Sequence, residues 1–156
     1  MQSLDELIAQ VPTFAGLTKD QLELIGGCGR NRHFEAGEVL FSEGEPANTF
    51  FLIRRGLVAL EVHAPARGAL RIDTLEAGEV IGWSWLFEPY RWQLDARTVE
   101  ACELIEFDAA CLRGKVEHDH ELGYQLMVRF ARNVVDRLQA TRFQLLDVYG
   151  KSEVSA

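Results

Sequence analysis

Short segments separated by glycine turns fill the middle of this chain, and they constrain its fold more than any other feature. Between Arg30 and Phe107, runs of about five residues end at turns that contain glycine. Glycine adopts the backbone angles of tight turns at little steric cost. The pattern therefore predicts a mainly β domain of the sandwich or barrel type. The turn glycines are Gly37, Gly44, Gly56, Gly68 and Gly78.

Helical sequence precedes this β-rich region. Ser3 and Glu6 have the spacing of a capping box, and Pro12 ends the helix that they begin. Thr18 begins a second helix, which a group of glycines ends. After the β-rich region, Asp108 can cap a short helix. We therefore predict flanking helices on both sides of the β-domain.

A long C-terminal helix is predicted from Asp119 to Tyr149. At 1.5 Å per residue it would be roughly 40 Å long, which is longer than the domain on which it packs. The chain is thus predicted to form one module. Its parts are a helical lead-in (1–29), a β-roll (30–107) and C-terminal helices (108–150), within a single domain over 1–156.

The predicted 119–149 helix carries more apolar surface than its own domain can cover. One part of the stripe can face the β-domain, and the rest needs another partner. The simplest partner is the same helix of a second copy, which predicts a homodimer. The alternative is a long helix folded back on its own domain. The apolar positions are Leu122, Leu126, Phe130, Val134, Leu138, Thr141, Leu145 and Val148, widened by Met127, Val135 and Leu146.

The composition excludes several classes of function. The net charge of −8 argues against a nucleic-acid-binding surface, because such surfaces are usually basic. The N-terminus lacks the pattern of a signal peptide, and no apolar stretch approaches the ~20 residues of a membrane span. The cytoplasm is therefore the expected location. No nucleophile–base spacing or paired carboxylates stand out, so we predict neither an enzyme nor a catalytic residue.

The cysteines and histidines do not form a recognisable metal pattern. Cys28, Cys102 and Cys111 are few, odd in number and widely spaced. We therefore predict buried thiols in a reducing compartment rather than a disulfide or a metal site. His118 and His120 are two residues apart, so they would not share a helix face. Since no third ligand is evident, no metal site is predicted.

All three tryptophans lie between Gly78 and Val99, a stretch that we call the tryptophan segment. From Trp92 onwards, apolar and polar residues alternate, which predicts a strand with Trp92 on its apolar face and Arg91 on its polar face. Large aromatic side chains beside glycine turns suit either a small-ligand pocket or a tight packing plug. Both interpretations remain open from the residues alone.

The order and spacing of several motifs resemble the cyclic-nucleotide-binding domain family over nearly the whole chain. The resemblance implies a double-stranded β-helix, also called a β-roll or jelly roll, with N-terminal helices and a long C-terminal dimerisation helix. It also implies a regulatory domain. Residues 151–156 are too few for a helix-turn-helix domain, so a stand-alone module without a nucleic-acid partner is expected. The motifs are Val11–Thr18, Phe34–Phe41, Glu43–Glu45 and Phe51–Gly56.

The same resemblance implies a phosphate cradle after Gly82, at the N-terminus of a short helix. In the family a glutamate follows this glycine and binds the ribose, and a downstream arginine pairs with the phosphate. Here Trp83 follows Gly82, and it offers one donor and no acceptor. The alternation places Trp92 rather than Arg91 in the arginine position. A local bulge near Pro89 would instead bring Arg91 into the pocket.

The difference between these tryptophans and the charged residues that the resemblance implies leaves three candidate functions. The preferred one is a regulatory module that senses a small, less charged ligand and does not bind cyclic AMP in the usual way. The alternatives are a true cyclic-nucleotide sensor that uses Arg91, and a structural or partner-binding domain plugged by its own tryptophans. Ser84 is expected to cap the short helix rather than to contact a ligand. The candidate ligand-binding residues are Gly82, Trp83, Ser84, Trp85, Leu86, Arg91 and Trp92.

The expected partners follow from the same reasoning. The ligand would be a cyclic nucleotide or another small molecule, and no cofactor or metal is assigned. A homodimer through residues 119–149 is expected, with an unknown protein partner as a further candidate. No nucleic-acid or membrane partner is expected.

Overall fold

Two capped helices lead into the β-domain, as the sequence predicts. The computed structural model describes the backbone of residues 1–154 and the side chains of residues 1–150. Ser3 and Thr18 cap the two helices, and each forms a complete capping box. These caps satisfy backbone N–H groups that would otherwise lack partners. The elements are helix α1 (Leu4–Ala9), a short 3-10 helix (Pro12–Phe14) and helix α2 (Lys19–Gly26).

Eight antiparallel strands form two four-stranded sheets. One sheet has the order β1-β8-β3-β6, and the other has the order β2-β7-β4-β5. This arrangement confirms the predicted jelly roll. The strand β6 was not predicted, because two residues are too few to show alternation. The strands are β1 (Gly29–Phe34), β2 (Val39–Phe41), β3 (Thr49–Arg55), β4 (Val58–Ala64), β5 (Gly68–Leu75), β6 (Val80–Ile81), β7 (Asp95–Thr98) and β8 (Cys102–Asp108).

Two further helices follow the sheets. The carboxylate of Asp108 accepts a hydrogen bond of 3.0 Å from the backbone N–H of Cys111, so Asp108 caps the first of them as predicted. Asp119 was predicted to lie inside the second helix. It lies just before that helix and accepts a 3.0 Å hydrogen bond from the backbone of Leu122. The two helices are α3 (Ala109–His118) and α4 (His120–Val154).

Only the first part of the α4 stripe is buried in its own domain. Leu122, Leu126 and Phe130 are almost fully buried. Beyond them, five apolar positions among the described side chains are 45% to 64% exposed. The dimer contact therefore stays a prediction. The exposed positions considered are Val134, Val135, Leu138, Leu145 and Leu146.

Four aromatic rings form the centre of the core. The ring of Phe50 stacks on Trp85 at a centroid distance of 4.5 Å and on Phe107 at 4.7 Å. Phe130 of α4 meets Phe50 edge-on at 6.0 Å and Trp85 edge-on at 5.7 Å. Stacked and edge-to-face pairs add to the stabilisation from burial. The cluster therefore holds the tryptophan segment and α4 against β3 and β8.

The prediction that all cysteines are free thiols is wrong. Cys28 and Cys111 form a disulfide, with their Cα atoms 5.8 Å apart and their positions separated by 83 in sequence. The backbone N–H of Asp108 donates a 2.8 Å hydrogen bond to the carbonyl of Cys28, which brings the start of α3 beside the start of β1. Cys102 is a buried free thiol, and burial raises its pKa.

Within the described part of the chain, no helix is both long enough and apolar enough to cross a membrane. The same residues contain no group of three or more His, Cys, Asp or Glu side chains that could hold a metal ion. His118 instead lies with its Nδ1 atom 2.8 Å from the carbonyl oxygen of Gly114.

Candidate ligand-binding cavity

An open cavity of about 400 Å³ lies between the tryptophan segment and the sheet that contains β4 and β5. We call it the ligand cavity. Its volume falls in the range of about 300–1,000 Å³ that is usual for small-molecule sites. Apolar side chains contribute much of its wall, and polar groups are contributed by Ser84, Glu88, Arg91, Gln93 and Arg137. The apolar lining includes Phe41, Leu60, Leu75, Val80, Trp83 and Trp92.

Trp92 fills the space directly beside Gly82. The backbone of Gly82 has a φ of 101°, which favours glycine. A Cβ atom at this position would lie 2.6 Å and 2.7 Å from two ring carbons of Trp92. Glycine is therefore needed here for two reasons, the backbone conformation and the close approach of the indole. The position that the resemblance predicted as a phosphate cradle lies against an indole.

The backbone pairing before β7 determines which of Arg91 and Trp92 is buried. The N–H of Trp92 donates to the carbonyl of Glu45 at 3.0 Å, and Gly44 donates to the carbonyl of Trp92 at 2.8 Å. Trp92 is 5% exposed, and its ring packs against Phe41 at a centroid distance of 3.9 Å. Arg91 is exposed, and its Nη1 atom donates to the carbonyl of Gly44 at 2.9 Å. The burial of these residues follows the predicted alternation.

A short 3-10 helix, Ser84–Leu86, carries the rest of the tryptophan segment. Trp83 occupies the N-cap position, and no side chain caps the helix. The expectation that Ser84 acts as the cap is therefore wrong, because Ser84 is already the first helical residue. Ser84 lines the ligand cavity instead.

The structure separates the seven candidate residues into two groups. Trp85 and Leu86 do not line the ligand cavity, and Trp85 is 2% exposed within the aromatic core. Trp83 is half-buried, and its ring meets Phe130 edge-on at 5.7 Å. The candidates that line the cavity are Gly82, Trp83, Ser84, Arg91 and Trp92.

Arg137 of α4 lines the ligand cavity and was missed from the sequence. Its guanidinium contacts Asp73 on β5, and its Nη1 atom donates to Glu79 at 2.7 Å. Burial raises the pKa of Glu79 and lowers the pKa of Arg137. The sequence did contain a signal for this contact, because Arg137 lies two helical turns after Phe130 and therefore on the same face of the helix. Arg137 thus links α4 to the cavity wall.

The family model for the cyclic nucleotide-binding domain matches residues 31–119, which is more than half of the chain. The chain belongs to the cyclic nucleotide-binding domain family. It is therefore a regulatory module built on this fold.

Curated relatives of this cyclic nucleotide-binding domain are longer proteins. A candidate potassium channel protein of Rhodopseudomonas palustris is 26% identical over 153 residues, covering 96% of this chain and 35% of its own length. A CRP-like cAMP-activated global transcriptional regulator of Mycobacterium tuberculosis is 24% identical over 145 residues, covering 93% of this chain and 63% of its own length. The chain thus spans less than two thirds of either relative.

Solved structures show the same architecture. A candidate cyclic nucleotide-binding protein of Geobacter metallireducens is 29% identical with a TM-score of 0.78, covering 88% of this chain and 99% of its own. A cyclic nucleotide-binding domain of Methylobacillus flagellatus is 16% identical with a TM-score of 0.78, covering 93% of this chain and 82% of its own. The second comparison supports the fold alone.

The wall of the ligand cavity in this cyclic nucleotide-binding domain carries both uncharged indoles and charged groups. Two uncharged tryptophans, Trp83 and Trp92, line the cavity, and Trp83 directly follows Gly82. The two cations that line the cavity are Arg91, exposed at its edge, and Arg137, paired with two carboxylates. The ring of Trp92 occupies the space beside Gly82.

Proposed function

We propose that this chain is a regulatory module that senses a small, largely apolar ligand and does not bind a cyclic nucleotide in the usual way. The observation that carries the proposal is the contact between the ring of Trp92 and the backbone of Gly82. A phosphate beside this contact would be desolvated without a counter-charge. Burial of an unpaired charge is strongly unfavourable.

The open volume of the ligand cavity supports a ligand over a plug. Trp83 and Trp92 both line this space of about 400 Å³, and they do not close it. A domain plugged by its own side chains would have filled this volume, because protein interiors pack at the density of organic crystals. The aromatic and aliphatic lining favours an apolar body, and polar groups such as Ser84 and Gln93 can orient it.

One observation favours the second candidate, a cyclic-nucleotide sensor that uses Arg91. Arg91 lines the ligand cavity, and its guanidinium forms no ion pair within the described side chains. It does, however, donate to the carbonyl of Gly44 and is exposed to water, where an ion pair contributes little. We therefore rank this candidate second.

The test compares an uncharged aromatic probe with cyclic nucleotides. N-phenyl-1-naphthylamine fluoresces when it enters an apolar site, and calorimetry measures the binding of cyclic AMP and cyclic GMP. We expect the probe to bind the full-length protein and the nucleotides to give no binding signal. Leu60→Trp, which adds an indole to the cavity wall, should weaken probe binding by about tenfold or more, because overpacking removes the space for it.

Leu70→Trp is the matched control. Leu70 is an exposed leucine on β5 in the same sheet and does not line the ligand cavity. Probe binding that is unchanged in Leu70→Trp and lost in Leu60→Trp supports the proposal. Equal binding in both variants would place the probe elsewhere, for example on the exposed face of α4, and would contradict it. Tight cyclic-nucleotide binding that Arg91→Ala abolishes would establish the second candidate.

We further expect the module to work as a homodimer through the 119–149 helix, in the cytoplasm, without catalytic activity of its own. A second protein would distinguish the ligand-bound form of the module from the ligand-free form. Arg137 supports a route for this signal, because it joins α4 to the cavity wall.

A further inference from the structure

The disulfide between Cys28 and Cys111 borders a second cavity, which we call the cysteine cleft. Its volume is about 510 Å³, and it shares no lining residue with the ligand cavity. Cys111 is partly exposed, and Cys28 is 7% exposed. The cleft is lined by both cysteines together with Arg30, Asn48, Glu106 and Asp108, among others. A small molecule in the cleft would therefore lie beside the disulfide.

The position of Cys111 on α3 suits it to thiol chemistry. It lies in the first turn of this ten-residue helix, where its backbone N–H donates to Asp108. The N-terminus of a helix stabilises a thiolate, although the carboxylate of Asp108 opposes this effect. A cysteine that is stabilised as a thiolate is also a better leaving group when its disulfide is attacked.

The disulfide is one of a few side-chain tethers that hold α3 to the N-terminal part of the molecule. Lys115 is a second such tether, because its Nζ atom donates to the carbonyl of Leu24 at 2.6 Å. Breaking the disulfide would leave α3 held by Lys115, by backbone hydrogen bonds at its start and by its buried residues Ala109 and Leu112. Local opening of α3 would then require less free energy.

A direct contact connects α3 to the tryptophan segment. The Nη1 atom of Arg113 donates to the carbonyl of Trp85 at 2.7 Å. The same guanidinium lies over the ring of Tyr90 at 4.5 Å from its centroid. Arg113 is two residues after Cys111, and the segment between Trp85 and Tyr90 supplies part of the wall of the ligand cavity. A displacement of α3 would therefore alter the contacts of Arg113 with Trp85 and Tyr90, and through them the position of the cavity wall.

We propose that Cys28 and Cys111 form a thiol–disulfide exchange site for a low-molecular-weight thiol, and that their redox state controls the mobility of α3 and of the cavity wall. The thiolate of the small thiol attacks one sulfur, so an S–S bond forms to that cysteine and the other cysteine leaves as a thiolate. A second small thiol then attacks the mixed disulfide. Both cysteines end as thiols, and the two small thiols end as their own disulfide, having given two electrons to the protein disulfide.

In short, the protein disulfide is reduced by two electrons and the two small thiols are oxidised by two electrons. The two protons of the small thiols end on Cys28 and Cys111. Reoxidation follows the same steps in reverse with the disulfide form of the small thiol. No metal or other oxidant is needed.

The first measurement counts thiols in the folded, full-length protein treated with reduced or oxidised glutathione. After denaturation in the presence of an alkylating reagent, the oxidised protein should carry one alkylated cysteine, Cys102, because the other two are paired. The reduced protein should carry three. Peptide mapping should find Cys28 joined to Cys111. Alkylation of all three cysteines in the oxidised protein, or resistance of the disulfide to glutathione until the protein is unfolded, would overturn the proposal.

The second measurement is hydrogen exchange of the same two samples. Amides of α3 and of residues 84–90 should exchange faster by about tenfold or more in the reduced protein, because a cross-link over a long loop strongly restricts opening. Cys102→Ser should keep this response, since Cys102 is outside the disulfide. Cys111→Ser and Cys28→Ser should exchange at the reduced rate in both samples. Equal exchange in oxidised and reduced wild-type protein would overturn the proposal.

Neither the thiol count nor the hydrogen-exchange measurement uses a molecule that binds in the ligand cavity. Failure of this proposal would therefore leave the proposed ligand-sensing function intact, and failure of the probe-binding test would leave the exchange site intact.

Discussion

Trp92 and Gly82 act as a single packing unit at the centre of the candidate site. The indole ring approaches Gly82 so closely that a side chain there would overlap it. Trp92 also packs on Phe41, which ties the site to β2. Substitutions at Trp92 and Gly82 should therefore have non-additive effects on the free energy of unfolding.

Removal of the indole should destabilise the protein strongly. Trp92→Ala should lower the free energy of unfolding by about 3–5 kcal/mol, as for other buried aromatic residues. Trp92→Arg should lower it at least as much, because it buries an unpaired charge. Arg91→Ala should change it by no more than about 0.5 kcal/mol, since Arg91 is exposed. Urea denaturation measures all three, and a stable Trp92→Ala protein would show that the ring is not a core residue.

The approach of the ring to Gly82 can be measured against a matched glycine. Gly78 also has a positive φ, 93°, but it has open space where a side chain would lie. Both Gly78→Ala and Gly82→Ala should be destabilising because alanine is strained at positive φ. Gly82→Ala should lose about 1–3 kcal/mol more, because it also overpacks against Trp92. Equal losses in the two variants would argue against close packing of the ring.

His33 should make stability weakly dependent on pH. Hydrogen bonds to Glu103 and then to Glu35 raise the pKa of His33. A raised pKa in the folded state means that the stabilisation is complete below the ordinary value of about 6.5 and is lost as the pH rises through the raised value. The urea midpoint should therefore decrease as the pH rises above about 6.5 and passes through the raised pKa. His33→Gln should show a smaller fall, and an unchanged fall would assign the effect to other groups.

Helix α4 joins two surfaces that differ in chemistry. Its first part packs into the aromatic core through Phe130. Two turns later, Arg137 reaches Asp73 and Glu79 at the edge of the ligand cavity. Because half-buried ion pairs stabilise less than packed aromatic rings, the second contact is the more easily broken of the two.

Arg137→Met should test this contact, and its effect should depend on pH. It leaves Asp73 and Glu79 without their cation, so the free energy of unfolding should fall by about 1–2 kcal/mol at neutral pH. Burial already raises the pKa of Glu79. The ionised form is therefore the unfavourable one, and the loss should shrink as the pH falls through this raised pKa and Glu79 takes up a proton.

Arg132→Met is the control for that experiment, because Arg132 is an exposed arginine on the same helix. It should leave the free energy of unfolding unchanged within about 0.5 kcal/mol. A loss in Arg137→Met that is the same at acidic and neutral pH would mean that Glu79 does not carry the effect.

At the scale of the whole molecule, the exposed apolar positions of α4 predict self-association. Sedimentation at micromolar concentration should give a dimer. Leu138→Glu combined with Leu146→Glu should give a monomer, because both leucines are about half or more exposed within one chain. Leu70→Glu, at an exposed leucine of β5, should remain a dimer. A wild-type monomer would contradict the prediction.

Truncation at Asp119 provides a second test of the same interface. The truncated chain lacks the helix and its buried anchors Leu122, Leu126 and Phe130. It should be monomeric or insoluble, since the aromatic core would be open to water. A soluble dimer of the truncated chain would place the interface elsewhere.

The sequence by itself determined the features that depend on neighbouring residues. The capping box at Ser3, the helix start at Thr18, the cap at Asp108 and the alternation around Trp92 all agree with the structure. Each arises from interactions within a few residues, so local chemistry is enough to predict it. The resemblance to a family, confirmed by the match over residues 31–119, supplied the connection between these elements.

Only the tertiary structure decided the features that join distant parts of the chain. The disulfide joins residues 83 positions apart, and Arg137 reaches back to Asp73 and Glu79. Ser84 lines the ligand cavity instead of capping a helix, and Trp85 enters the core while Trp83 stays at the cavity. Such contacts depend on how whole strands and helices pack. Residue types and spacing do not determine that packing, because many sequence-distant pairs have equally suitable chemistry and the fold brings only a few of them together.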